Sequence, residues 1–170
     1  MQVSVVIGNP TPGGRTTRVA ETLARHAVDA VGASAQASID IIELAHVAGR
    51  LFVWEDAELT ALNRKVAASN LVITACPTYK ASYTGLLKAF LDRYGNNGMA
   101  GTVALPVMLG AAPHHALAVE THPRPLLVEL GASVPTRGLY LLESQMDELD
   151  AVVSGFMATA GPLLARVFGR

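Results

Sequence analysis

The sequence predicts an α/β protein in which helices cover both faces of a parallel β-sheet. Residues 3–7 and 71–75 are almost entirely apolar and rich in β-branched side chains, as is typical of strands buried on both faces. Segments with helical spacing alternate with such runs, without a repeat or a linker. Hydrophobic residues make up 51% of the 170 residues, so we expect residues 1–170 to form one domain with a large core.

The first half of the chain is predicted to contain two strands and two helices. Residues 3–7 form the first strand, and the helix after it places apolar residues at Val19, Leu23 and Ala27. Residues 39–44 form the second strand. Residues 45–54 are expected to be a loop with a short turn, and the second helix begins at Glu55.

The second half repeats this alternation. The third strand, residues 71–75, stops at Pro77, and the third helix ends near residues 95–98. Pro106 is unexpected inside the fourth strand, because proline cannot donate to a sheet hydrogen bond. The remaining predicted elements are the fourth strand at 102–109, a fourth helix at 115–130 distorted near Pro123 and Pro125, fifth-strand pieces at 132–134 and 139–142, and a fifth helix at 146–167.

The loop at residues 8–18 connects the first strand directly to the first helix. Its glycines permit backbone conformations closed to other residues, and the helix start offers unpaired N–H groups and a positive dipole end. Arg15, Thr16 and Thr17 add a guanidinium and two hydroxyls. These groups suit a phosphate, although Gly, Pro and Thr also suit a plain turn with a capping hydroxyl.

The order of residues in this loop excludes two common nucleotide-binding motifs. The loop has no Gly-Lys-Ser/Thr ending, and its glycine spacing differs from the dinucleotide fingerprint. A mononucleotide phosphate therefore remains as the expected ligand.

Residues 76–88, after the third strand, combine aromatic and hydrogen-bonding side chains at a strand end. Pro77 fixes the exit from the sheet, backbone amides at Thr78 to Lys80 can meet the edges of a flat ligand, and Tyr79 can border its face. A proline turn with Ser82 or Thr84 capping the next helix is the alternative interpretation. In parallel sheets such loops converge beyond the carboxyl ends of the strands.

The segment Pro-Thr-Tyr-Lys-Ala-Ser-Tyr-Thr-Gly-Leu-Leu-Lys at 77–88, together with the first loop, resembles the NAD(P)H-dependent FMN reductases of the flavodoxin-like fold. The resemblance runs from residue 3 to about residue 142. It is strongest to those that supply reduced flavin to alkanesulfonate and methanesulfonate monooxygenases. This implies a three-layer sandwich with five parallel strands in the order 2-1-3-4-5. It also implies FMN and NAD(P)H as cofactors, and a homodimer or homotetramer.

The resemblance also implies which residues hold the flavin. The phosphate falls to the first loop, the isoalloxazine ring to the loop after strand three, and the loop after strand four closes over that ring. These positions are Asn9, Arg15, Thr16 and Thr17 in the first loop, Pro77, Thr78, Tyr79 and Lys80 in the second, and Gly110, Ala111 and His115 in the third.

Several positions depart from the family pattern. Asn9 and Gly14 stand where serines are common, so fewer hydroxyls meet the phosphate. In the third loop, Ala111 follows Gly110 where a second glycine is usual. We therefore expect FMN to exchange as a substrate. In monooxygenase-linked members, an extra aromatic residue or His distorts the fourth helix. Here Thr121 takes this position, with His122 adjacent, so the chain departs from those members at this position.

Hydride transfer between stacked rings needs positioning, and the sequence has no compelling acid, base or nucleophile, so no catalytic side chain is predicted. No metal is expected, because His114 and His115 are neighbours in a loop and lack further ligands. Two alternatives stay open: an FMN-bound quinone, azo or chromate reductase, and a non-catalytic flavin-binding electron carrier.

Charge and cysteine content set the expected surroundings of the protein. A net charge of −1 gives no reason to expect nucleic acid or anionic lipid as a partner, and no apolar run reaches the length of a membrane span. Cys76 cannot form an internal disulfide, and the start lacks a secretion signal. We expect a cytoplasmic protein, and the family resemblance implies flavin and nicotinamide nucleotides and a flavin-dependent monooxygenase as its partners.

Overall fold

The structure, a computed structural model, describes residues 1–169 and contains one five-stranded sheet. Its strands are β1 (Gln2–Ile7), β2 (Ser38–Glu43), β3 (Leu71–Pro77), β4 (Val103–Gly110) and β5 (Leu139–Leu142). All neighbouring strands are parallel, and their order is β2-β1-β3-β4-β5. The predicted flavodoxin-like order is confirmed, and the reversal at β1 and β3 opens a crevice at their carboxyl ends.

Within residues 1–169, six α-helices cover the two faces of this sheet. They are α1 (Arg15–Ala30), α2 (Ala57–Ala67), α3 (Gly85–Leu91), α4 (Ala118–Thr121), α5 (Pro123–Glu129) and α6 (Leu149–Val167). Side chains alternate between the faces along a strand, so Val5 packs with α1 and α6, whereas Val6 packs with the helices of the other face. The three-layer arrangement is therefore confirmed, with an apolar core on each side of the sheet.

Pro106 lies inside β4 without breaking the sheet. The amide of Ala104 donates to Ser133 O. Backbone nitrogens two residues apart in a strand point to the same side, so the nitrogen of Pro106 also points toward the β5 side of β4. The pairing with β5 begins only at Val107 and Leu139. The missing N–H of Pro106 thus falls in a gap, since Ser133 makes only an isolated bridge and the predicted strand piece at 132–134 does not form.

The predicted fourth helix is broken as its prolines suggest. Its α-helical part is divided into α4 and α5 at His122, whose φ is −119° and ψ is −73°. Proline lacks an N–H and tolerates the first helical position, so Pro123 can begin α5. The ring of His122 packs edge-on against Tyr83, with centroids 6.3 Å apart.

Two further segments differ from the sequence prediction. Leu44–Arg50, expected as loop with a short turn, forms a 3₁₀ helix. Glu143–Glu148 is also a 3₁₀ helix, so α6 begins at Leu149, three residues later than predicted. No helix within residues 1–169 has the length and apolar character required to cross a membrane.

Cys76 is completely buried on the β3 strand, and burial raises the pKa of its thiol to about 12. This supports its interpretation as a small core residue, because an inaccessible neutral thiol is a poor nucleophile.

We expect iodoacetamide to leave Cys76 unmodified in the native protein at a pH close to the ordinary thiol pKa of about 8.5. The protein unfolded in guanidinium should be alkylated fully under the same conditions, as mass spectrometry would show. Rapid alkylation of the native protein would contradict the buried position.

Candidate functional site

The carboxyl ends of the strands surround a cleft of about 290 Å³, which we call the site cleft. Five residues predicted from the sequence line it together: Asn9, Arg15, Thr16, Pro77 and Tyr79. The other lining residues are Thr11, Gly14, Leu109 and Glu143. The structure therefore brings the first loop and the loop after β3 to one place, as expected where the strand order reverses.

The first loop is held in shape by Asn9. Its side-chain oxygen accepts a hydrogen bond from Thr11 N at 3.1 Å, and its Nδ2 donates to Thr16 Oγ1 at 3.2 Å. Asn9 thus serves the loop as a turn residue, which is a role that asparagine fills by bonding the backbone two residues on.

The start of α1 faces the site cleft and suits an anion. Gly14 is the N-cap residue, and within residues 1–169 no side chain caps it and the first turn contains no acidic residue. The first N–H groups of a helix lack intrahelical partners and carry the positive end of its dipole. A phosphate at this point would satisfy them, so the residues present fit the phosphate end of FMN.

Glu43, the last residue of β2, lies beneath the same loop. Its Oε1 accepts hydrogen bonds from Gly13 N at 2.9 Å and from the Thr17 hydroxyl at 2.7 Å. Its Oε2 is buried and has no hydrogen-bond partner in the described part of the chain. Thr17 is itself buried, so its hydroxyl is directed to Glu43, and this differs from the expected contact with a phosphate.

Arg15 is paired with a residue that the sequence analysis missed. Its Nη1 lies 2.9 Å from Glu143 Oε2, and the two side chains are 56% and 37% exposed. Glu143 directly follows β5. The signal that could have found both glutamates is their position at the carboxyl ends of strands two and five, which share the edge of the sheet with the first loop.

The loop after β3 contains a two-residue turn at Lys80 and Ala81, with φ values of 51° and 62°. Tyr79 and Ser82 pair across the turn through reciprocal backbone hydrogen bonds of 2.9 and 3.0 Å. Positive φ is rare for residues with a Cβ, and such strain is often found at functional sites. The side chain of Tyr79 extends from this turn and is half exposed.

The expected contacts of this loop with a flat ligand stay a prediction, and two of its amides already have partners. The amide of Thr78 donates to Leu109 O at 2.7 Å, and that of Tyr79 donates to Ser82 O. The Thr78 hydroxyl is buried and lacks a partner within residues 1–169, which leaves it as a donor or acceptor near the turn.

Thr84 joins the first loop to the loop after β3. Its hydroxyl donates to Gly8 O at 2.6 Å and accepts from Leu87 N at 3.2 Å, which confirms it as the cap of α3. Gly8 lies so close to α3 that a Cβ there would stand 2.6 Å from Leu87 Cβ. The two loops are therefore locked together beside the site cleft.

The loop after β4 does not line the site cleft, apart from Leu109, which precedes it. A Cβ on Gly110 would lie 1.9 Å from Tyr140 Oη, so packing against Tyr140 is itself a reason for glycine. Tyr140 also donates to Ala112 O at 2.8 Å. Ala111 is exposed, and the His115 ring packs edge-on against His114. Contacts from Gly110, Ala111 and His115 to a flavin remain predictions, as do those from exposed Lys80.

Within residues 1–169 no group of three or more His, Cys, Asp or Glu side chains could hold a metal ion. The site cleft is lined by the start of α1 with the Arg15 guanidinium and by Tyr79 from the turn after β3. This arrangement suits a ligand with an anionic tail and a flat head.

The comparisons with known proteins agree with this geometry. The model of the NADPH-dependent FMN reductase family matches residues 1–147, and the chain belongs to that family. The expectation of an NAD(P)H:FMN oxidoreductase with FMN and a nicotinamide cofactor is thereby confirmed.

Individual relatives are similar at modest identity. An FMN reductase (NADPH) of Pseudomonas aeruginosa is 29% identical over 161 residues, covering 91% of this chain and 83% of the relative. The NADH-dependent FMN reductase SfnF of Pseudomonas fluorescens is 31% identical over 111 residues, which cover 65% of this chain and only about half, 56%, of that relative. The apo structure of the NADH:FMN oxidoreductase EMOB superposes with a TM-score of 0.78 at 27% identity, covering 93% of this chain and 89% of that one.

We expect Thr84→Val to lower the free energy of unfolding by about 2–3 kcal/mol, because it removes a helix cap and leaves the buried Gly8 carbonyl unpaired. Thr84→Ser keeps the hydroxyl and should cost about 1 kcal/mol or less. Urea unfolding followed by circular dichroism measures both. Equal losses in the two variants would show that the hydroxyl does not join the loops.

Proposed function

We propose that this protein binds FMN in the site cleft, reduces it with NADPH or NADH, and releases reduced FMN to a flavin-dependent monooxygenase. The observation that carries the binding mode is the meeting of the first loop and the turn after β3 in one cleft, which both Arg15 and Tyr79 line.

The phosphate end of FMN is assigned to the start of α1. Arg15 supplies the positive charge, and Thr16, which lines the cleft, supplies a hydroxyl. Asn9 contributes chiefly by fixing the loop, since both ends of its amide are engaged within it. Thr17 contributes indirectly, because its hydroxyl donates a hydrogen bond to Glu43.

The isoalloxazine end is assigned to Pro77, Thr78, Tyr79 and Lys80. When bound, FMN supplies the hydride acceptor, and the protein contributes position. Pro77 and the Lys80–Ala81 turn form a rigid edge, and the half-exposed Tyr79 ring provides a flat apolar border. Gly110, Ala111 and His115 are proposed to border the opposite side of the ring. A nicotinamide stacked on the exposed flavin face needs no acid or base from these residues.

The release of FMN follows from the phosphate site. Gly14 provides no hydroxyl, Thr17 is engaged by Glu43, and Arg15 by Glu143. Fewer donors are then available to hold the phosphate, which favours exchange over retention. The monooxygenase partner rests on the resemblance of residues 77–88 to reductases of such systems.

Self-association is proposed from the exposed apolar surface. Phe52, Val53 and Trp54 are 74%, 49% and 56% exposed, an unusual cluster on a monomer. Arg93 holds this segment firmly by donating to Val53 O at 2.8 Å and Leu51 O at 3.0 Å. We propose a homodimer or homotetramer formed by one-domain subunits, located in the cytoplasm in keeping with the lone buried thiol.

The decisive experiment follows nicotinamide absorbance after mixing the purified protein with NADPH or NADH, with and without excess FMN. Oxidation that rises and saturates with FMN is expected, and the protein should lose most of its yellow colour on gel filtration. Oxidation that requires an added quinone or dye would instead indicate the alternative reductase. Absence of oxidation despite FMN binding would indicate a carrier.

We expect Arg15→Ala to raise the FMN dissociation constant by about tenfold or more, since a charge-assisted phosphate contact contributes about 1.5–3 kcal/mol. Arg18→Ala is the matched control, because Arg18 is also exposed on α1 but does not line the cleft. Titration of flavin fluorescence measures both. An unchanged titration for Arg15→Ala would remove the phosphate contact from the proposal.

A further inference from the structure

The Arg15–Glu143 ion pair joins two elements that line the site cleft. Arg15 begins α1, and Glu143 begins the 3₁₀ segment after β5. Both side chains line the cleft, and both are partly exposed, so a ligand entering it reaches the pair. The group best suited to bind an incoming phosphate is therefore already bound to an internal carboxylate.

We propose that Glu143 competes with the flavin phosphate for the Arg15 guanidinium and so weakens binding of phosphorylated flavins in particular. The inference rests on the proposed function, because it takes the site cleft as the place where FMN binds. A guanidinium offers the same planar set of donors to a carboxylate and to a phosphate, so one acid can displace the other. Riboflavin has no phosphate, and its binding does not require Arg15 to leave Glu143.

The balance between the two acids is close. A partly exposed ion pair is weak, and its loss changes an equilibrium constant by about fivefold at most. A phosphomonoester carries more charge than a carboxylate, so FMN prevails and Glu143 loses its partner. Glu43, which accepts from Gly13 in the same loop, is a second negative charge near the start of α1.

This competition would set how readily FMN leaves the protein. Each departure of FMN restores the Arg15–Glu143 pair, so the internal carboxylate stabilises the free form of the site. Glu143 is therefore a residue that determines specificity among flavins, and it takes no part in hydride transfer.

The test replaces Glu143 with glutamine, which keeps its size and removes its charge. We expect Glu143→Gln to lower the FMN dissociation constant by about threefold to fivefold, with riboflavin changing by less than about twofold. Asp147→Asn removes the same charge from an exposed position of the same segment and should leave both constants unchanged. Fluorescence titration of each flavin gives the constants, and Glu143→Ala serves as a second variant with the same expectation.

A double-mutant cycle separates competition from simple repulsion. In an Arg15→Ala background, Glu143→Gln should change the FMN dissociation constant by less than about twofold, because no guanidinium remains to be contested. A full effect in that background, an unchanged FMN constant, or equal changes for both flavins would overturn the proposal. Such results with a wild-type protein that still oxidises NADPH or NADH with FMN would leave the proposed function standing, whereas a wild-type protein that binds no FMN would remove both.

Discussion

The Thr84 hydroxyl is the contact on which the geometry of the site depends. By donating to Gly8 O and accepting from Leu87 N, one buried group satisfies both the exit of β1 and the first turn of α3. The close approach of Gly8 to Leu87 allows no side chain between them. The first loop and the loop after β3 are therefore tied together beside the site cleft.

The first loop is organised around carboxylates as well as around donors. Glu43 satisfies the Gly13 amide and the Thr17 hydroxyl, but its second oxygen is buried without a partner in residues 1–169, which costs free energy. The same carboxylate also opposes an incoming phosphate. A loop stabilised in this way keeps its shape before the ligand arrives and binds the ligand less strongly as a consequence. Such a compromise suits a protein for which flavin is a substrate.

The sequence predicted those parts of the site that depend on local patterns. Apolar runs followed by Gly- and Pro-rich loops identified the first loop and the turn after β3, and the periodicity identified α1. The positions of Glu43 and Glu143 in the site were not predicted, because their proximity to residues 13–17 depends on the order of strands that are far apart in the chain. Gly110 was predicted from its small size, yet the Tyr140 ring that fills the space beside it could not be located without the fold. Pro106 looked unsuited to its strand until the late start of β5 explained it.

Positioning is what hydride transfer between two stacked rings requires of the protein. Lys80 and Ala81 both have positive φ, a conformation that costs about 1–3 kcal/mol for each residue with a side chain. The paired hydrogen bonds between Tyr79 and Ser82, and the anchor at Thr84, hold the turn in that state. A relaxed turn would leave Tyr79 free to sample many orientations, and stacking of two flat rings at van der Waals distance tolerates little of that freedom. The strain in the backbone is thus compensated by these hydrogen bonds, and an ordered turn is what the proposed binding mode asks of the protein in hydride transfer.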